Sequence, residues 1–280
     1  MTQTRAADSA GLTKERLPSA YVDPMSVDAW RHRRMLMHCI ELVRHRPDST
    51  WLTVGDGRFG SDAAFLLEHG IDAVASDLTI ETLRYAAQHG YIRQYRAENA
   101  EHLTIADNAF DFVLCKESYH HFPRPPVALY EMLRVARHAV LMVEPLDESR
   151  PLNLIKQLIK RAIRGDKEVE FETSGNYLYR TSVRELSKLL TAMGLRMLAV
   201  RRFNDFFHPR FARGHASAFD ASYCVTRLGI AVQDVLTASR LLGYGLVSTI
   251  VFKQLPEAEL RASLRRQGYR LIELPKNPYA

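Results

Sequence analysis

Cysteine is scarce in this sequence: three residues in 280, Cys39, Cys115 and Cys224. An odd, widely spaced set of thiols makes neither a disulfide framework nor a zinc pattern, and it fits a reducing compartment. Long apolar runs are missing too. None approaches the roughly 20 residues that a membrane span requires. The polar N-terminus, MTQTRAADSAGLTKERLPSA, has no apolar signal core, so the expected location is the cytoplasm. Nor is there a basic stripe interleaved with aromatics. The net charge of +6 comes from arginines scattered over expected helix surfaces, which argues against a nucleic-acid groove. What remains, 46% hydrophobic and 25% charged, is ordinary globular material for one large domain with or without an appendage.

The organising stretch is WLTVGDGRFG, Trp51 to Gly60, a short apolar run that breaks into Gly55, Gly57 and Gly60 before the helical pattern SDAAFLLEHG. This predicts a buried strand, a tight turn and a helix whose free N–H groups face a ligand on the turn. Ser61 is placed to cap that helix and Gly70 to end it. The spacing is that of a dinucleotide fingerprint, G-x-G-x-x-G, and Asp77 ends the next strand, IDAVASD, where a carboxylate can accept both hydrogen bonds of a ribose diol. An adenosine-bearing ligand follows from these residues. Which one does not.

Before that turn, residues 1–24 read as a loose arm, with Tyr21 either a lid or a packing anchor, and 25–45 as a helical segment bearing Trp30, Met35, Met37, Ile40, Leu42 and Val43. After it, strands alternate with helices: LTIETLRYAAQHG, YIRQYRA, FDFVLC, PPVALYEMLRVAR and AVLMVEP. That alternation predicts an α/β, doubly wound, mostly parallel sheet with helices on both faces. The second half is less regular. Residues 151–165 read as a basic amphipathic helix, expected to line a substrate opening or to cap the sheet. Thr181, Ser182 and Glu185 make a capping box. LRMLAVRRF and GLVSTIVFKQ read as a sixth and a seventh strand, flanking an insertion over about 204–244 whose long helix aligns Val225, Leu228, Val232, Val235 and Ser239. A helix and a short strand-like RLIEL close the chain over 256–275.

The order of glycine loop, ribose acid, AENAEHLTIADNAFDFVLC and VLMVEP resembles the class I S-adenosylmethionine-dependent methyltransferases, of the type 11-like group, over about 51–145. The resemblance implies a Rossmann-like sheet of seven strands with an antiparallel last strand, and S-adenosyl-L-methionine as cofactor. It places Asn99, Ala100 and Glu101 at the adenine, in a phrase continued by Asp107, Ala109, Phe110 and Asp111. Gly55, Asp56, Gly57, Gly60, Asp77, Leu78 and Lys116 complete the implied cofactor set. Two residues depart from the family. Thr53 stands where an acid usually holds the amino-acid end of the cofactor, with Asp56 as a substitute, and Phe59 lengthens the glycine loop.

Methyl transfer to a hydroxyl gains from a base that takes its proton, and KESYHHFPRPP at the fourth strand tip holds an adjacent pair, His120 and His121. In O-methyltransferases with a similar His-His element, the first histidine works with a carboxylate ending the fifth strand. Here those positions are His120 and Glu144. The alternative is that both histidines only frame the pocket. Lys116 and Glu117 pair with each other or bind substrate. Tyr177, Tyr179 and Arg180 stack on a ring substrate or pack ahead of a helix, and Cys115 belongs to the core. Asp205, His208, Glu117, Glu144 and His120 match no standard metal pattern, so no metal is expected. The expected activity is O-methylation of a sugar, glycan precursor or polar metabolite, with a homodimer possible. Amine N-methylation, RNA methylation and a non-catalytic cofactor-binding role are the alternatives.

Overall fold

A computed structural model describes residues 23–148, 150–155, 158 and 177–280. Nearly all of the predicted arm, Tyr21 included, lies outside the described residues, as does most of the predicted helix after 155. Residues 151–155 and 158 are helical.

A strand covered on both faces needs apolar side chains in both directions, so the short apolar runs become the central strands, while an edge strand, Gln94–Ala97, is polar and mostly exposed. The first five, β1 (Trp51–Val54), β2 (Val74–Asp77), β3 (Gln94–Ala97), β4 (Phe110–Lys116) and β5 (Ala136–Pro145), are parallel and lie in the order β3-β2-β1-β4-β5. The sheet continues from β5 with β7 (Leu246–Phe252), then β6 (Met197–Phe203), then β8 (Arg270–Glu273). Strand β7 is antiparallel to β5 and β6, as expected. The strand count is eight and not seven: RLIEL adds an edge, β8, antiparallel to β6.

Alternation along each strand sorts the core into two layers. Trp51, Phe112, Leu114 and Leu141 face one cluster, which takes in Met35 of α1 (Val27–Leu36), Leu42 of α2 (Ile40–His45), Leu66 of α3 (Ser61–Glu68), Leu83 of α4 (Glu81–Gln88) and Leu264 of α9 (Ala258–Arg266). Leu52, Val54, Val113 and Val140 face the other, against α5 (Pro125–Val135) and α6 (Val183–Ala192). Prolines open α5, where their missing N–H costs nothing, and the Ser182 hydroxyl accepts the Glu185 N–H to cap α6. No described helix is long and apolar enough to cross a membrane.

The helical segment expected over 25–45 is present, in two pieces. A 3-10 turn at Met37–Cys39 separates α1 from α2, turning His38 and Cys39 inward and leaving Met37 exposed. In the insertion, formed by α7 (Pro209–Ala212) and α8 (Ala221–Ala238), the apolar stripe of α8 points outward: Val225, Leu228, Val232 and Val235 are all exposed. That helix docks instead through Thr226, Ile230 and Thr237, through Tyr223 edge-on to Trp30 at 4.9 Å, and through Asn204, whose amide donates to Asp234 and Thr237.

His38 carries a measurable consequence. Its ring lies edge-on to Phe203 at 4.4 Å, and burial, with Arg201 and Arg34 nearby, lowers its pKa from 6.5 to about 3. Below pH 6.5 the unfolded chain binds a proton that the folded chain refuses, so stability falls as pH falls, by ~2 kcal/mol at pH 5. His38→Phe should remove that share of the acid sensitivity, read as a smaller drop in urea midpoint between pH 7 and pH 5. An equal drop in both proteins would contradict the assignment.

Candidate active site

The strand order reverses between β1 and β4, and the carboxyl ends of strands flanking such a reversal open a crevice. The cavity there has a volume of about 1200 Å³. This is slightly above the ~300–1,000 Å³ of a typical small-molecule pocket.

Its floor is the glycine turn. The Ser118 hydroxyl donates to the Gly55 carbonyl at 2.7 Å, joining the tips of β1 and β4. Gly55 sits at φ 75°, and a Cβ there would come within 2.4 Å of Ser118 Cβ. A Cβ on Gly57 would come within 2.6 Å of Asp77 Oδ2. The turn is therefore bare where it meets the ribose acid. Asp77 Oδ1 accepts the Thr79 N–H and hydroxyl at 3.0 and 3.2 Å, and the Thr82 hydroxyl holds the Gly57 carbonyl at 2.8 Å. Leu78, beside Asp77, is 72% exposed, an apolar surface open to a flat ring. A bare backbone turn, a carboxylate at the rim and an open apolar side chain together fit a nucleoside.

Asp56 is differently employed. Its buried carboxylate turns inward, accepting the Asp62 and Ala63 N–H groups at 3.1 and 3.0 Å and the Thr53 hydroxyl at 2.8 Å. It thereby satisfies the orphan donors at the start of α3, the task expected of Ser61. Ser61 cannot do it because Gly60, at φ 65°, is the capping position and Ser61 already lies inside the helix. Burial and neighbouring Asp62 push the Asp56 carboxyl well above the usual carboxylate range, against the pull of those three donors.

Asn99, Ala100 and Glu101 lie in the loop after β3 and are not among the residues lining the cavity. Asn99 Oδ1 accepts the Glu101 N–H at 3.0 Å, and Glu101 pairs with Arg124 at 2.8 Å. Asp111 is at the opposite end of β4, accepting the Thr50 N–H at 2.8 Å.

Behind the wall that carries His120, Glu144 at the end of β5 is 1% exposed. Its Oε1 accepts the N–H groups of Ser118 and Tyr119 at 3.1 and 3.0 Å, and its Oε2 lies 2.6 Å from His120 Nδ1. An ionised carboxylate only accepts, so Nδ1 carries the proton and the imidazole lone pair is on Nε2. His120 is itself buried and lines the cavity, with the exposed ring of His121 tilted beside it at 4.0 Å. Two backbone donors and one imidazole thus fix the carboxylate, and the carboxylate fixes the imidazole.

Lys116 and Glu117 do not pair with each other. Lys116 reaches Asp62 at 3.2 Å and His32 Nδ1 at 2.9 Å, while Glu117, at φ 50°, lies 3.4 Å from the same nitrogen. A left-handed glutamate at a strand tip is the kind of backbone strain that gathers at functional sites. His32 belongs to a polar cluster that sequence reasoning missed. Asp28, Arg31 and His32 of α1 project over the glycine turn, Asp28 pairing with Arg31 at 2.8 Å and with Arg58. Burial and the cations Lys116, Arg58 and Arg31 drive the His32 pKa well down, so the ring is neutral.

Asp205 is consumed by Arg31 and Arg34, and His208 caps α7 by accepting the Arg210 N–H at 3.2 Å. Among the described residues no group of three or more His, Cys, Asp or Glu side chains converges as a metal site would require. Cys115 is fully buried core. Tyr179 packs edge-on to Tyr119 at 6.2 Å, whereas its neighbour Arg180 lines the cavity.

Comparison with known proteins bears on the family and the fold. Residues 52–143 match the model of a family described as a methyltransferase domain. The chain is similar to the uncharacterized protein YafE of Escherichia coli K12, 31% identical over 112 residues, which are 38% of this chain and 54% of that protein. It thus spans about half the length of that relative. Among solved structures, YcgJ from Bacillus subtilis superposes with a TM-score of 0.55 at 17% identity, over 80% of this chain and 100% of that one. Magnesium protoporphyrin IX methyltransferase from Synechocystis, with bound S-adenosylhomocysteine, gives 0.53 at 14% identity, over 87% and 94%. The 1,6-didemethyltoxoflavin-N1-methyltransferase of Burkholderia thailandensis, holding its substrate and S-adenosylhomocysteine, gives 0.52 at 15% identity, over 91% and 93%. These likenesses are of fold.

Proposed function

We infer, because residues 52–143 are a methyltransferase domain of the class I S-adenosylmethionine-dependent family, that this protein methylates a hydroxyl on a sugar, glycan precursor or other polar metabolite in the cytoplasm. S-adenosylmethionine supplies, when bound, a methyl group activated on a sulfonium for in-line displacement. The bare turn at Gly55 and Gly57 and the Asp77 carboxylate would carry its nucleoside, with Leu78 on the purine. Thr53 brings no charge to the amino-acid end; of the acids around the turn, Asp28 is paired with Arg31 and Arg58, Asp62 with Lys116, and Asp56 is turned onto α3, which leaves Glu117.

The observation that carries the O-methyl reading is the buried His120–Glu144 pair, whose imidazole lines the cavity while the carboxylate lies behind it. An alcohol holds its proton far above pH 7. His120 Nε2 accepts that proton as attack develops, a contribution typically of about 100- to 10,000-fold. Glu144 keeps the tautomer and stabilises the imidazolium. A neutral amine already offers its lone pair and needs less from such a base. Residues 207–213 roof the acceptor end, and the outward stripe of α8 is the surface through which a homodimer would form.

Calorimetric titration with S-adenosylmethionine and S-adenosylhomocysteine, followed by release of the latter across sugars, sugar nucleotides and amines, tests this reading. Binding of both and turnover on hydroxyl acceptors is expected. Indifference to both nucleosides would remove the methyltransferase reading. Turnover confined to amines would remove the hydroxyl, and tight binding without turnover would favour a non-catalytic role.

A further inference from the structure

The cavity wall carries five cationic side chains, and three of them are spent within the protein: Arg31 on Asp28 and Asp205, Arg58 on Asp28, Lys116 on Asp62. Arg180 and Arg213 are different. Both are exposed, both line the cavity, and neither makes an ion pair among the described residues.

We propose, building on the methyl-transfer reading of this cavity, that its acceptor bears an anionic group, a phosphate or a carboxylate, received by Arg180 and Arg213. Each arginine stands on anchored backbone. On one side of Arg180 the Tyr179 N–H donates to the His120 carbonyl at 3.2 Å, and on the other the Thr181 N–H donates to the Pro145 carbonyl at 3.1 Å. Arg180 is thus tied to the base loop and to the end of β5. Arg213 closes α7, and the next carbonyl, of Gly214, accepts the Val27 N–H at 2.7 Å, tying the roof to α1. The acids of the wall do not answer these charges. Asp28 and Asp62 are paired, Asp56 is turned inward onto α3, Asp77 lies at the nucleoside end and Glu117 is beside His32. A guanidinium presents a planar fork that matches an oxyanion two bonds at a time, and a cation on a cleft wall with no acid of its own favours a ligand of the opposite sign beside it. An uncharged acceptor would leave both forks to water.

The test uses the full-length protein saturated with S-adenosylhomocysteine, titrated calorimetrically with inorganic pyrophosphate and, separately, with citrate. One or both should bind. Arg180→Gln and Arg213→Gln should each weaken that binding by about tenfold or more, Arg180→Lys should keep part of it, and the affinity for S-adenosylhomocysteine should not change. Preference for pyrophosphate assigns a phosphorylated acceptor, and preference for citrate assigns a carboxylated one. Failure of both anions to bind the unaltered protein, or equal binding by the variants, overturns the proposal. If S-adenosylhomocysteine itself does not bind, the methyltransferase reading fails, and the same anion titrations on the unliganded protein still decide whether the arginines form an anion site.

Discussion

His120→Ala is expected to lower turnover by about 100- to 10,000-fold while leaving the affinity for S-adenosylhomocysteine and the acceptor KM where they are. The imidazole is not a packing anchor for the nucleoside. The Gly55 turn and Asp77 are held by the hydroxyls of Ser118 and Thr82 and by Thr79. Glu144→Gln should lose nearly as much. A glutamine in that slot must either turn its NH₂ toward His120 Nδ1, moving the imidazole proton to Nε2, or turn it toward the Ser118 and Tyr119 N–H groups, two donors that then meet a third. Glu144 is a positioning residue, so the double variant should be scarcely worse than either single one, as for groups that act as a unit. Steady-state kinetics on one acceptor, with circular dichroism as a check on folding, reads this. Additive losses, or a rise in KM with unchanged kcat, would mean that the pair only shapes the pocket.

The second large effect is at Gly57. A valine there drives its Cβ against Asp77 Oδ2 and Cγ, 2.6 and 2.9 Å away, and the carboxylate must swing off the rim. We expect Gly57→Val to weaken S-adenosylhomocysteine binding by ~100-fold or more. Asp77→Ala, which removes the charged acceptor of both ribose hydroxyls and leaves the turn clear, should weaken it by at least about 10- to 100-fold, the worth of a single hydrogen bond to a charged group. Calorimetry on the two variants orders them. Unchanged affinity in Asp77→Ala would take the ribose away from β2.

The central parallel strands β4 and β5 are legible because full burial writes them as uninterrupted apolar runs, Phe112–Cys115 and Val140–Val143, whereas the edge strand β3 is mostly exposed and is read from its place in the alternation. The glycine turn and Asp77 are legible because close backbone approach admits few residue types. The His120–Glu144 contact spans 24 positions, and only the family resemblance suggested it. Other features resisted reading for physical reasons. The buried face of α1 carries Asp28, Arg31 and His32 in register with Met35, positions where periodicity leads one to expect apolar side chains. Charges on the same stripe as a core methionine were the available signal. The start of α3 is capped from Asp56, five positions before Ser61, because the chain passes through a left-handed glycine between them. The stripe on α8 has the right period for a core and yet faces outward, since periodicity marks an apolar face and cannot say what covers it.

A crystal structure of the full-length protein with S-adenosylhomocysteine tests the central claim most directly. The account predicts the nucleoside across the turn from Gly55 to Gly57, its ribose hydroxyls on Asp77, and its sulfur pointing along the cavity toward His120. A crevice empty at saturating ligand, or the same ligand seated elsewhere with Asp77 untouched, would contradict it.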